Sequence, residues 1–335
     1  MDIDRRTALA TALLLLSMES GCALAGARKS SLWDAYKRQF MAPEGRVVDT
    51  GNGGISHSEG QGYGMVLAEA NDDRDSFDLL WKWTQQRLAR PDVSLFSWRY
   101  DPSSPTPVSD PNNATDGDML IAWALLRGSI RWKDHELAAQ SRAIRTAILS
   151  RLVVARGGHS LLLPGLQGFV NDPYATINPS YYIWPALDAF RAVDKLWNPI
   201  ITGGELLLQR ARFGAVSLPT DWIDVNDNGL QPAAGHPARF GFDAMRIPLY
   251  LGWSGRRDAL APFRTFWGGY VARKQQIPAW IDVLTGEIAP FALSPGGQAV
   301  ANYALTGKAA VGPTLPADYY ASTLMLLTDL AARRA

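Results

Sequence analysis

Apolar residues recur at three- and four-residue spacing along most of this 335-residue chain, which is the period of helices that bury one face. The pattern predicts helices over Leu32 to Phe40, Gly62 to Ala70, Asp75 to Leu88, Asp116 to Trp132, His135 to Ala155 and Ser180 to Leu196. It continues over Gly204 to Arg212, Phe242 to Leu251, Ala259 to Lys274, Gly297 to Leu305 and Asp318 to Arg333. Pro and Gly punctuate the gaps, as at Pro173, Pro179, Pro199, Pro219 and Pro295-Gly296-Gly297, because neither continues a helix well. Short strand-like pieces fall near Ser94 to Tyr100, Trp222 to Val225 and Trp280 to Val283. Strands and helices do not alternate, so a parallel-sheet fold is disfavoured.

About eleven or twelve helices without an intervening linker predict one all-α domain. Amphipathic helices must bury their stripes against neighbours, and about twelve of them do so as two concentric rings, an (α/α)6 barrel. An α-solenoid is the alternative, but no repeat of fixed period is visible. In a barrel the loops at one end gather around a single cleft, with short strand and loop insertions beside it.

The start of the chain reads differently. Arg5 and Arg6 precede an apolar run from Ala8 to Leu16, and Ala23-Leu24-Ala25 fits cleavage before Gly26. This is the layout of an export signal over residues 1–25, leaving one catalytic domain over 26–335 and a secreted or periplasmic protein. The run is too short for a transmembrane anchor. Cys22, the single cysteine, follows Ser20-Gly21 as in a lipoprotein box, but Glu19 stands where an apolar residue belongs.

Composition narrows the chemistry. A net charge of +1 and the absence of a long basic run argue against nucleic acid as a partner. The four histidines, 57, 135, 159 and 236, lack zinc-ligand spacing. Asp224 to Gly229 opens like a calcium loop, yet its twelfth position is Gly235, where a bidentate Glu is required. There is no Gly-x-Ser-x-Gly elbow. Neither a metal nor a cofactor is expected. Twelve tryptophans are the unusual feature; flat faces serve either the core or the stacking of sugar rings.

Three acidic motifs carry the chemistry. Ser56 to Met65 surrounds Glu59 with glycines, and Ser58 and Gln61 have capping-box spacing, placing Glu59 in a first helical turn. Thr115-Asp116-Gly117-Asp118 reads as a second helix start, with Asp116 free to face a cleft. Asp243 and Arg246 stand three apart on a third predicted helix and can pair. Each has an ordinary structural explanation when taken alone.

Together the motifs resemble glycoside hydrolase family 8. Glu59-Gly-Gln-Gly-Tyr-Gly-Met65 looks like that family's general-acid segment, and Ala114 to Trp132 follows its signature, with Gly128 where Ala is usual. Asp243-Ala-x-Arg246 resembles the general-base segment, and Asn178-Pro-Ser-Tyr-Tyr182 a further one. The chain is most similar to the secreted endoglucanases encoded beside bacterial cellulose synthases. The resemblance implies inverting endo-hydrolysis of a β-1,4-glucan, with a functional link to a cellulose synthase complex. Xylan, chitosan or mixed-linkage glucan as substrate, or a non-catalytic glycan-binding role, are the alternatives. By resemblance Glu59 is the acid and Asp243 the base. Asp116 holds the sugar at the cleavage point, and Tyr181 the attacking water. Arg246 orients Asp243 or contacts sugar, and Tyr63 binds substrate.

A first-turn position favours the ionised form of Glu59, whereas a general acid must keep its proton. Asp116 is the expected second charge that offsets this. Among Trp98, Trp123, Trp132, Trp184 and Trp222, Trp98 sits in a loop-like stretch and is the expected sugar platform, while Trp123 and Trp132 are expected in the core.

Overall fold

The helices form where the spacing places them, and their ends are set by side chains. The computed structural model describes residues 32–333; the leader-like stretch and Cys22 lie outside them. The eleven α-helices among the described residues are α1 (32–40), α2 (Ser58–Ala70), α3 (Arg74–Arg87), α4 (Thr115–Trp132), α5 (His135–Arg151) and α6 (Trp184–Val193), followed by α7 (Asn198–Arg210), α8 (Arg246–Trp253), α9 (Ala261–Ala272), α10 (Pro295–Thr306) and α11 (Tyr319–Ala332). Asp73, Asp134, Ser294 and Asp318 cap α3, α5, α10 and α11 by accepting first-turn amide hydrogens.

Contacts between buried helices run from α2 to α4, α4 to α6, α6 to α8, α8 to α11 and α11 back to α2, closing a ring. Helix α2 is buried along almost its whole length, as is α4 up to Gly128; helices apolar all round belong in an interior. Helix α3 packs outside α2, α5 outside α4 and α9 outside α10. These outer helices bury one face only, as Phe77, Leu80, Trp81 and Trp83 do on α3. The architecture is that of the (α/α)6 barrel. No helix of the described residues is long and apolar enough to cross a membrane.

Several boundaries differ from the sequence expectation. The helix expected to reach Ala155 ends at Arg151, and Val153–Arg156 pairs with His159–Leu162 as a hairpin. Its turn is Gly157-Gly158, both at positive φ (58° and 76°), the two-residue connection that suits strand twist. The helix expected from Ser180 to Leu196 is a 3-10 turn, Pro179–Tyr181, followed by α6. Helix α8 begins at Arg246, so Asp243 sits in the turn before it rather than on it.

The predicted strand pieces are present but short. Ser56–His57 pairs with Arg99–Tyr100, and Arg239–Phe240 with Ile281–Asp282. A four-stranded antiparallel sheet joins Val170–Asn171, Tyr174–Ile177, Ile223–Asn226 and Gly229–Pro232. Asp224 spends its carboxylate inside this sheet, accepting from the Thr176 hydroxyl at 2.7 Å and the Ala234 amide at 3.1 Å. Residues 226–229 form a hairpin turn there.

Candidate active site

Two helix starts meet before any side chain reaches the cleft. Helices α2 and α4 touch at Gly62 and Gly117. A β-carbon on Gly62 would lie 3.2 Å from the Ile121 nitrogen, and one on Gly117 would run into the Ser58 side chain. Only glycine permits this approach. It brings Glu59, in the first turn of α2, beside Asp116, in the first turn of α4.

The cap of α2 is not the one the spacing suggested. His57 is the N-cap, and its Nδ1 accepts from the Gly60 amide at 3.0 Å. Ser58 opens the helix, and its buried Oγ has no hydrogen-bond partner. Gln61 is buried and ties the barrel wall, accepting from the Val47 amide at 2.6 Å and donating to Thr84 at 3.0 Å. Asp118 likewise does not cap α4. It accepts from the Phe96 amide at 3.0 Å and from Asn113 Nδ2 at 2.7 Å, fixing the loops beside the helix start.

Arg246 is the hub. One terminal nitrogen of its guanidinium pairs with Glu59 Oε1 and lies 3.5 Å from Asp116 Oδ2; the other donates to Asp243 Oδ1 at 2.8 Å and to Ser180 Oγ at 2.8 Å. Thus all three predicted carboxylates converge on one buried cation. Asn178 completes the arrangement: its Nδ2 donates to Asp243 Oδ2 at 3.0 Å, while its Oδ1 accepts from Ser180 Oγ at 2.7 Å. The segment 178–180 therefore holds both Asp243 and Arg246.

The three carboxylates differ in access. Side-chain exposure is 6% for Asp116, 17% for Glu59 and 33% for Asp243, so Asp243 is the one that water reaches most easily. Burial pushes Asp116 up to about 8, with the Asp243 charge adding to it. Burial also pushes Asp243 up to about 6, against the Asn178 hydrogen bond that favours its ionised form. The charge that faces Glu59 most closely is the Arg246 cation, and the repulsion felt by Asp116 comes from Asp243. Glu59 and Asp116 thus face the same guanidinium.

Tyr63 was expected to touch sugar, but it is completely buried. Its hydroxyl donates to Glu59 Oε1 at 3.0 Å and shares a 2.7 Å hydrogen bond with Tyr250. It supports the carboxylate from beneath instead. Tyr181 lies at the site, with Arg246 5.9 Å from its ring centroid. Burial, then the nearby Asp116 and Asp243, hold its hydroxyl well above the usual phenol range.

The tryptophans divide clearly. Trp184 is fully buried and Trp123 nearly so, packed edge-on to Trp253; Trp132 packs against Phe77 and under Arg74. Trp98 is half-buried, and its indole donates to Asp110 at 2.7 Å, while its carbonyl accepts from the Ser58 amide. Trp222, also half-buried, stacks parallel on Phe169 (5.9 Å) and His236 (4.6 Å) and meets Tyr181 edge-on at 6.2 Å.

Three further residues belong to the site without having signalled it. Asp221 accepts from the Gly241 amide at 3.1 Å and the Ala244 amide at 2.7 Å, clamping the turn that presents Asp243. Burial and the Asp243 charge push it up to about 7. Tyr320, on α11, donates to the Phe242 carbonyl at 2.6 Å and braces the same turn. Tyr250, on α8, anchors Tyr63. Asp221-Trp222 had a readable cue, an acid beside an aromatic in a loop, but no spacing tied it to Asp243.

Known proteins share this arrangement of sequence and fold. An endoglucanase of Cellulomonas uda is 44% identical over 277 residues, which is 82% of this chain and 77% of that protein. The structure of a family 8 endoglucanase from Klebsiella pneumoniae superposes with a TM-score of 0.88 at 42% identity, covering 91% of this chain and 99% of that one. An endo-β-1,4-glucanase from Acetobacter xylinum gives a TM-score of 0.84 at 38% identity, with coverage of 92% and 98%. Residues 3–334 match the glycosyl hydrolases family 8. With two acidic helix starts and the Asp243 turn gathered around Arg246 in a closed helical ring, and with this match along the chain, the protein belongs to glycosyl hydrolase family 8.

Proposed function

We propose that this protein is an endo-β-1,4-glucanase that hydrolyses its substrate with inversion. The activity is supported by endoglucanase relatives at 38–44% identity over most of the chain. The observation that carries the mechanism is the convergence of Glu59, Asp116 and Asp243 on Arg246.

Inversion needs a protonated carboxyl at the leaving oxygen and an ionised one that activates water on the opposite face. Asp243 suits the second role: it is the most exposed of the three, and Arg246 and Asn178 fix its two oxygens. Glu59 suits the first. Tyr63 orients it from below, and a bound sugar must displace the Arg246 contact before the carboxyl can present a proton to the glycosidic oxygen. Asp116, pushed up to about 8 by burial and the Asp243 charge, is suited to donate a hydrogen bond to a sugar hydroxyl. Tyr181, beside Arg246, is the candidate to hold the attacking water, and half-buried Trp98 is the candidate platform for a flanking sugar ring.

The finer setting, export through the leader-like residues 1–25 and service beside a cellulose synthase, rests on those residues and on the motif resemblance. The test is reducing-end release from carboxymethylcellulose, with proton NMR of the first anomer. Glu59→Gln and Asp243→Asn are each expected to lower kcat by at least about a thousandfold, and the first product is the α anomer. A β anomer first, or an active Glu59→Gln, overturns the assignment. For the wild type, kcat/KM is expected to fall as pH drops through about 6, where Asp243 takes up a proton.

A further inference from the structure

A histidine caps the helix that carries Glu59. Ser, Thr, Asp and Asn are the usual N-caps because their side-chain oxygens accept a first-turn amide hydrogen. His57 does this work with Nδ1, at 3.0 Å from the Gly60 nitrogen. An imidazole nitrogen accepts only when it carries no proton. With Nδ1 accepting, the ring hydrogen sits on Nε2, which faces Asp49 Oδ2 at 3.3 Å. Glu59 Oε2 lies 3.9 Å from the same Nδ1. His57, Asp49 and Glu59 are each only 15–17% exposed at the side chain, so solvent screens the group weakly.

We infer that His57 is a positioning residue for Glu59: its ring caps α2 through Nδ1 and holds the first turn, and with it the Glu59 carboxyl, in its working place. Without that acceptor the Gly60 amide loses its partner, and the turn that carries Glu59 is free to shift.

Other groups hold the ring and the carboxyl in place. Asp49, from the loop before the first strand, faces Nε2. Arg246, from α8, pairs with Glu59. Across the strand pair Arg99 is opposite His57, but its guanidinium is engaged by Asp101 at 3.0 Å. Tyr319, from α11, packs edge-on at 5.7 Å and contributes no charge.

This inference rests on Glu59 as the general acid, and one experiment separates the two. Steady-state kcat and KM are measured on carboxymethylcellulose for wild type, His57→Asn and His57→Ala, with Glu59→Gln in the same assay. His57→Ala loses the cap and is expected to lower kcat about tenfold with little change in KM. His57→Asn keeps an acceptor oxygen and is expected to restore part of that loss. Thermal unfolding of each variant checks the fold, and His57→Gly, which an N-cap tolerates, takes the place of His57→Ala if that variant does not fold. An unchanged kcat without the cap, or an equal loss in His57→Asn, overturns the inference. An active Glu59→Gln overturns the acid assignment beneath it.

Discussion

Gly117 bears directly on Glu59: a β-carbon at position 117 would stand 2.8 Å from the Glu59 backbone nitrogen and inside the Ser58 side chain. Backbone at that range cannot yield as a flexible side chain does. Gly117→Ala is therefore expected to push the start of α2 away from α4. The cost is about 1–3 kcal/mol of stability from overpacking. Loss of kcat is larger than that of KM, on the order of ten- to a hundredfold, because the acid is misplaced by a fraction of an ångström. Melting temperature and steady-state kinetics on carboxymethylcellulose measure both. A variant as active as wild type would show that α2 tolerates the displacement.

Removing the hub should cost stability as well as activity. Arg246 is 3% exposed and faces Glu59, Asp116 and Asp243. Arg246→Met leaves buried carboxylates without their cation, a change worth about 3–5 kcal/mol. The loss is expected to be greatest near pH 8 and smaller near pH 5, where Asp243, pushed up to about 6, and Asp116, pushed up to about 8, carry protons. Arg246→Lys restores charge but not the fork that serves two sides at once, so its activity stays low. Denaturation at the two pH values, compared with wild type, reads this out.

Stability should also fall as pH rises, for a reason outside the chemistry. Burial pushes Asp118 up to about 7, from an ordinary value of 3.8. A group whose folded value is raised contributes its full share below the unfolded value and loses it as pH climbs through the folded one. The window is thus pH 3.8 to about 7, and stability is lost progressively across it. Asp116, Asp221 and Asp243 act in the same direction, whereas Asp73, lowered to about 2, acts only below 3.8. Asp118→Asn sacrifices one hydrogen bond, because its amide would face the Asn113 donor. It is expected to melt lower at pH 4 but with a flatter slope toward pH 8. A slope equal to wild type would rule out Asp118 as a source.

Asp221 is expected to act on kcat through the Asp243 turn. Its Oδ1 accepts two amide hydrogens, from Gly241 and Ala244. Asp221→Ala frees that turn and is expected to lower kcat on the order of a hundredfold, with KM within a few-fold, since the base positions water rather than sugar. Asp221→Asn keeps the acceptor oxygen and recovers part of kcat. Equal loss in both variants would point to the charge rather than the clamp.

The sequence made the acids legible and concealed their supports. Glu59 and Asp116 announced themselves because a first turn has a pattern: glycines, a polar residue and an apolar run to follow. Asp243 was placed on a helix, three residues before Arg246; the pair forms, but across a turn rather than along a helix face. What holds the acids is long-range. Tyr250 is 187 residues from Tyr63, and Asn178 is 65 from Asp243, and local spacing has no record of such contacts. The cap of α2 was misassigned because Ser58 outranks His57 on propensity, while the backbone there is set by pairing of Ser56 and His57 with Tyr100 and Arg99. The hairpin over 153–162 was hidden by the apolar rhythm of α5 running into Val153-Val154, though Gly157-Gly158 marked its turn.

The ring closes only when α11 meets α2, two helices far apart in sequence. Every carboxylate of the cleft precedes α11 in sequence, yet α11 supplies Tyr320 to brace the Asp243 turn and Tyr319 to back the His57 ring. Taking α11 out of the ring would leave all three acids in the chain but remove the braces behind the Asp243 turn and the His57 ring.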